Sequence, residues 1–178
     1  MVPEAPLERT DAGIVPAGEG WFVVNAREAR WFENDDFGAF TVFEDRDTAR
    51  FEQLGINIGV LQPGQPGCMY HREEEQEDFL VLSGKCLLLI EGEERPLKAW
   101  DFVHCPASTD HVLVGAGEGP CVVLAVGART GGGVTYPVSD LAQRYGASVA
   151  QETHDGNEAY ARSAKSTPMP YRERWLPS

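Results

Sequence analysis

Residues 71–84, HREEEQEDFLVLSG, begin with a histidine among carboxylates and end as an apolar strand. In an extended chain, side chains two residues apart project to the same face. His71 and Glu73 therefore share a face if the segment is extended, and Glu77 begins the strand that ends at Gly84. The segment is either a solvated acidic loop, as most charge runs are, or one wall of a metal site.

A second histidine, His111, begins the apolar run HVLV that follows the turn PASTD. If neighbouring strands bring the two regions together, two imidazoles and two carboxylates converge inside a β-barrel: His71, Glu73, Glu77 and His111. Divalent transition metals such as Mn, Fe, Ni or Zn accept mixed nitrogen and oxygen ligands of this kind. Glu75 would project to the same face as Glu73, so Glu75 is the alternative ligand if the loop bulges.

The rest of the chain has the pattern of an all-β protein. Short apolar runs alternate with turn-forming clusters such as QPGQPG and GAGEGP, which is typical of a sandwich or barrel. The segment CLLLIEGEERPLKAW predicts a hairpin with Gly92 in the bend. The predicted strands are WFVV (21–24), FGAFTVF (37–43), INIGVLQ (56–62), DFLVLS (78–83), CLLLI (86–90), DFVHC (101–105), HVLV (111–114) and CVVLAV (121–126).

Two motifs give the sequence a resemblance to single-domain cupins, best across residues 56–127. The first cupin motif runs histidine, any residue, histidine, a gap of a few residues, glutamate, six residues and glycine, and here it covers His71 to Gly84 with Glu77 as the glutamate. The second motif is a proline on a strand followed by a histidine, here Pro106 and His111. The resemblance implies a double-stranded β-helix, the jelly-roll barrel of the cupins, with metal ligands His71, Glu73, Glu77 and His111.

The chain departs from the family pattern at two positions. Glu73 stands where the family usually has its second histidine, and a carboxylate there favours Mn or Fe over metals that prefer softer ligands. Alternatively, Glu73 points to solvent and three ligands are left. Trp100 stands where a glycine commonly precedes the aspartate that opens the second motif, here Asp101.

The sequence predicts one β-domain with an arm at each end. Residues 1–50 form an N-terminal arm with added strands, residues 51–130 the barrel core, and residues 131–178 a C-terminal arm with short helices and a tail. Ser139 can cap one short helix that Gly146 can end, and residues 157–165 predict a second.

Composition excludes several partners. The 178-residue chain has 28 acidic and 15 basic residues, a net charge of −13, which repels nucleic acid and anionic membranes. The N-terminus lacks the basic and apolar regions of a secretion signal, and no apolar stretch is long enough to cross a bilayer. Four cysteines without CxxC spacing indicate reduced thiols and a cytoplasmic location.

Among the other candidates, Cys105 could face the barrel interior as a nucleophile, although a strand cysteine is more often a small buried hydrophobe. His104 has no motif role, and His154 lies in the tail.

We expect a metal-binding protein that acts on a small molecule, with dioxygenase or isomerase chemistry implied by the cupin resemblance. The alternative is a non-catalytic small-ligand binding protein, with or without metal. The family also implies a homodimer, and Leu80 and Leu82 on the outer face of their strand are consistent with a covered surface. The catalytic groups and the substrate are not specified by the sequence.

Overall fold

The computed structural model of the protein describes residues 1–45 and 47–177. The chain forms fourteen strands and two short helices within these residues. The strands are β1 (Leu7–Thr10), β2 (Gly13–Pro16), β3 (Trp31–Asn34), β4 (Gly38–Val42), β5 (Leu54–Leu61), β6 (Arg72–Glu73), β7 (Glu77–Ser83), β8 (Lys85–Ile90), β9 (Glu93–Lys98), β10 (Phe102–Cys105), β11 (His111–Ala116), β12 (Cys121–Ala128), β13 (Val134–Thr135) and β14 (Thr167–Met169). The helices are α1 (Asp140–Gln143) and α2 (Gly156–Ala159).

Two antiparallel sheets face each other and enclose the barrel. The larger has the strand order β10-β7-β12-β5-β4-β3-β14, and the smaller has the order β11-β8-β9. Period-two alternation places Phe79, Val81 and Val123 of the large sheet against Leu88 and Leu113 of the small sheet in one buried cluster. This confirms the predicted all-β, double-stranded β-helix fold with short C-terminal helices.

Two further clusters cover the outer faces of the sheets. Leu89 and Val112 of the small sheet pack with Ala142 of α1, whose N-cap Ser139 accepts a hydrogen bond from the Ala142 amide. On the large sheet, the fully buried Trp31 packs with Trp175 of the C-terminal tail, ring centroids 5.0 Å apart. The C-terminal segment therefore closes the back of the large sheet.

The predicted hairpin forms between β8 and β9, with Glu91 and Gly92 both at positive φ in the two-residue turn. The predicted strand at WFVV (21–24) was wrong. Only Trp21 forms a bridge, to Glu4, and Trp21 and Val23 are largely exposed, since no sheet surface packs against them. No helix in the described part of the chain is long and apolar enough to span a bilayer.

Candidate metal centre

The two histidines are neighbours across a pair of extended segments. His111 is the first residue of β11, and His71 lies immediately before β6. Each donates its backbone amide to the carbonyl of the other, at N···O distances of 3.1 and 2.8 Å. Glu77 begins β7 of the opposite sheet, so the barrel closure brings it to the same point.

The three side chains form a compact group. The ligand atoms of His71, Glu77 and His111 all lie within 4.8 Å of one another. Glu77 Oε2 lies 3.1 Å from His111 Nε2 and 3.4 Å from His71 Nε2. All three side chains are largely buried, so water screens these contacts weakly.

Hydrogen bonds on the far side of each ring fix its orientation. His71 Nδ1 lies 2.9 Å from the carbonyl of Met69, and His111 Nδ1 lies 2.9 Å from the carbonyl of Thr109. A carbonyl only accepts hydrogen bonds, so each Nδ1 carries a proton. In the neutral ring, each Nε2 then directs a lone pair at Glu77, the arrangement of metal-ligating histidines.

This arrangement needs a cation between the side chains. Glu77 Oε2 and His111 Nε2 are buried without a hydrogen-bond partner among the described residues. Burial disfavours charged His71, but Cys68 and Glu77 outweigh it and raise the pKa of His71 well above its usual value. Burial likewise opposes charge on Glu77, yet His111 and His71 lower its pKa to about 2. A proton or a metal ion can serve as the cation.

The fourth predicted ligand, Glu73, lies outside this group. It belongs to β6, which pairs with β13, and its side chain is half-buried. Burial and the negative charge of Glu77 raise the pKa of Glu73, which shows that the two carboxylates are near enough to interact. The structure therefore brings three of the four predicted residues together and places Glu73 beside them.

Comparison with known proteins agrees with this geometry. Residues 57–127 match the family model described as a cupin domain. Residues 57–127 are therefore a cupin domain. No curated protein matches it.

Solved structures share the cupin fold. A protein from Acidithiobacillus ferrooxidans, provisionally named as a sugar phosphate isomerase, is 24% identical over 75% of this chain and 77% of that chain, with a TM-score of 0.52. A cupin 2 conserved barrel domain protein from Salinispora arenicola is 19% identical over 64% and 92%, with a TM-score of 0.50. The polyketide cyclase RemF from Streptomyces resistomycificus is 16% identical over 61% and 80%, with a TM-score of 0.51. At these identities the likeness is one of fold.

The other two glutamates of the acidic run hold a glycine-rich loop of the cupin barrel. One carboxylate oxygen of Glu75 accepts hydrogen bonds from the amides of Thr130 and Gly132 and from the Thr130 hydroxyl. These bonds lower the pKa of Glu75. Glu74 accepts from the Gly133 amide at 3.1 Å. The carboxylate of Glu75 is therefore occupied by hydrogen bonds to the loop, which argues against Glu75 as the alternative ligand.

The three-residue group lies in a cavity of about 840 Å³, a usual size for a small-molecule site. Phe79 and Leu113 form part of its apolar wall. Sequence reasoning missed several other lining residues because they lie outside the two cupin motifs. These residues are Arg30, Phe37, Phe40, Glu44, Cys68, Arg129, Tyr136 and Tyr160.

The remaining candidates do not belong to the three-residue group. Cys105 belongs to the buried core, and burial together with the charge of Glu77 raises the pKa of its thiol to about 11, so it is a poor nucleophile. His104 is exposed and lies 2.7 Å from Asp78 on the outer face of the large sheet. His154 is exposed and lies 3.0 Å from the hydroxyl of Thr135.

Proposed function

We propose that this cupin is a metal-dependent enzyme acting on a small molecule, with His71, Glu77 and His111 holding one divalent transition metal. The observation that carries the proposal is the convergence of three buried ligand atoms, of which Glu77 Oε2 and His111 Nε2 lie 3.1 Å apart and have no other hydrogen-bond partner among the described residues. Buried polar groups are nearly always satisfied, and each exception needs an explanation such as a bound ion.

The donor set fits such a metal. Two imidazole nitrogens and one carboxylate oxygen suit Mn, Fe, Ni or Zn, and three protein ligands leave positions open for substrate or water. The hydrogen bonds from both Nδ1 atoms fix the rings in the orientation that a metal requires. We propose Glu73 as an auxiliary fourth ligand, since it lies beside the group and responds electrostatically to Glu77.

The bound metal would act as a Lewis acid that polarises a carbonyl or enolate oxygen of the substrate, or would supply the site for dioxygen. The chain itself would bind and orient the substrate between the walls of the cavity and exclude water from the metal centre. Isomerase and dioxygenase chemistry both suit this donor set. Among the structures of similar fold, one is provisionally named a sugar phosphate isomerase and another a polyketide cyclase.

The alternative function is non-catalytic binding of a small ligand. It is favoured by the cavity walls, where apolar side chains such as Phe37, Phe79 and Leu113 form a large part of the lining. Open coordination positions distinguish the two functions, because an enzyme site must hold a displaceable water.

Cobalt substitution tests the proposal. The Co(II)-loaded protein is titrated with azide while its visible absorption is recorded, with His111→Ala as the variant that lacks a ligand. A spectrum that depends on His111 and shifts with azide supports an open catalytic centre. A spectrum that azide leaves unchanged favours the binding protein, and the lack of any His111-dependent spectrum overturns both metal-dependent functions.

We further propose a cytoplasmic homodimer that binds neither nucleic acid nor membrane. The exposed Phe102 lies on β10, an edge strand of the large sheet, where a second copy could cover it. Leu82 does not support this surface, because it packs in the cluster that the chain's own C-terminal tail closes. Light scattering coupled to size exclusion, on the parent and on Phe102→Ser, tests the dimer.

A further inference from the structure

Among the described residues, both arginines that line the cavity are paired with carboxylates. Arg129 makes a two-pronged ion pair with Glu44, with both N···O distances 2.7 Å, and donates to the carbonyl of Phe51 at 2.9 Å. Glu44 is 5% exposed, so this pair is built into the wall. Arg30 lies 3.2 Å from Asp45. The Nε of Arg30 is buried without a hydrogen-bond partner among the described residues. The Arg129 guanidinium, by contrast, is held by both oxygens of one carboxylate and by a carbonyl, so it is a poor receptor for a second anion.

The charges of the described residues that line the cavity sum to a negative value. Five carboxylates of the described residues line it, against the guanidinium groups of Arg30 and Arg129 and the imidazoles of His71 and His111. Together, the two guanidinium groups and a divalent metal would offset four of the five carboxylate charges. An anionic ligand would therefore enter against a net negative field, which costs binding free energy at low effective dielectric.

The walls favour a flat apolar molecule. Tyr136 and Tyr160 meet edge to face with ring centroids 5.8 Å apart, and Phe37 meets Tyr160 in the same way at 5.3 Å. Tyr136 also lies 6.1 Å from the ring of His71, so this aromatic group extends to the metal centre. Aromatic walls bind ring compounds through offset or edge contacts and attract cations through their faces.

We propose that the cavity takes uncharged or cationic ring-containing molecules that reach the metal centre through oxygen atoms, and that it rejects anionic molecules, phosphate esters above all. The contact with the metal rests on the proposed function. The selection by charge rests on the cavity lining and holds for the metal-free protein as well.

A matched series of catechols tests the selection, because its members share one metal-binding head and differ in the charge of the tail. Ethylcatechol is neutral, dopamine is cationic and hydrocaffeate is anionic, and glycerol phosphate serves as the phosphate ester. Dissociation constants are measured anaerobically by calorimetry for metal-loaded and metal-free protein. We expect ethylcatechol and dopamine to bind at least about tenfold more tightly than hydrocaffeate, as one unit charge at a partly solvated site requires. Glycerol phosphate should show no binding.

Variants that release an arginine sharpen the test. Glu44→Gln leaves Arg129 without its carboxylate and should improve the affinity for hydrocaffeate relative to ethylcatechol by about tenfold. The exposed Glu118→Gln makes the same change in net charge outside the cavity and should leave the ratio unchanged. If Glu44→Gln does not fold, Asp45→Asn releases Arg30 and should move the ratio in the same direction.

The outcomes separate the two proposals. Hydrocaffeate or glycerol phosphate binding as tightly as ethylcatechol to the metal-free and metal-loaded protein would overturn the selection by charge. So would an unchanged ratio in folded Glu44→Gln and Asp45→Asn. A protein that takes up no metal but still ranks the catechols as expected refutes the proposed function and leaves the selectivity of the cavity standing.

Discussion

Replacing Glu77 with glutamine should make the stability of the metal-free protein depend on pH in a specific way. Glutamine keeps the shape of the side chain and removes the charge that pairs with His71 and His111, 3.4 and 3.1 Å away. The pKa of Glu77 is lowered in the folded protein, so its contribution to stability is present above its unfolded value of 4.5 and is lost as pH falls toward about 2. The pKa of His71 is raised above 6.5, so its contribution is lost as pH rises through the folded value.

The size of the effect follows from the same shift. The fall in the pKa of Glu77 from 4.5 to about 2 corresponds to about 3 kcal/mol of folding free energy. Cys68 and then Glu77 raise the pKa of His71; the part due to Glu77 reports the same interaction from the other partner and is not added. The parent should therefore exceed Glu77→Gln by about 3 kcal/mol on a plateau from pH 4.5 to at least 6.5.

Urea denaturation in the presence of a chelator measures this difference across the pH range. Asp78→Asn is the matched control, because Asp78 lies 2.7 Å from His104 in a pair that is half-exposed at the histidine. That exposed pair should contribute about 1 kcal/mol or less. The argument that the charged pair stabilises the metal-free site would be refuted if the parent and Glu77→Gln were equally stable on the plateau. It would also be refuted if the difference in stability persisted unchanged to pH about 2.

Three further predictions concern residues around the site. Glu73→Gln removes the auxiliary ligand, so the protein should keep about one equivalent of metal on the other three ligands and bind it about tenfold more weakly; an unchanged metal affinity would show that Glu73 is not a ligand. Glu75→Ala removes the acceptor of the Thr130 and Gly132 amides, so hydrogen–deuterium exchange at both should accelerate while metal content is retained. Trp100→Gly should stabilise the protein by about 0.5 kcal/mol in urea denaturation. Trp100 has φ +74° and is 75% exposed, so glycine relieves the left-handed backbone strain, and this gain exceeds the entropy cost of glycine. A loss of stability on that change would show that the exposed indole makes contacts that matter.

The barrel and the histidine pair were predictable because each depends on a local pattern. The period-two alternation from Glu77 to Val81 determines which side chains enter the core, and His111 begins a strand of the same kind. The departure at position 100 also has a local explanation. Trp100 adopts the left-handed backbone conformation that a glycine would adopt freely, and its side chain is left exposed.

The function of the acidic run was not predictable from parity alone. Alternation alone would place Glu73 and Glu75 on the same face. The Glu75 carboxylate instead accepts hydrogen bonds from residues 130–132, which are more than fifty positions away in the chain. The same limit applies to the cavity. Arg129 and Glu44 are 85 positions apart in the sequence, so no local pattern indicates that they pair. Contacts of this kind become visible only when the sheets are assembled.

The metal content of tag-free protein tests the central claim most directly. Elemental mass spectrometry is applied to the parent, to His111→Ala and to His104→Ala, each reconstituted with Mn, Fe, Ni and Zn and then desalted. We expect about one equivalent of one of these metals in the parent and in His104→Ala. The metal should be lost from His111→Ala, because this change removes one of the three convergent ligand atoms. A parent that takes up no metal after reconstitution, or a His111→Ala variant that retains it fully, would contradict the account.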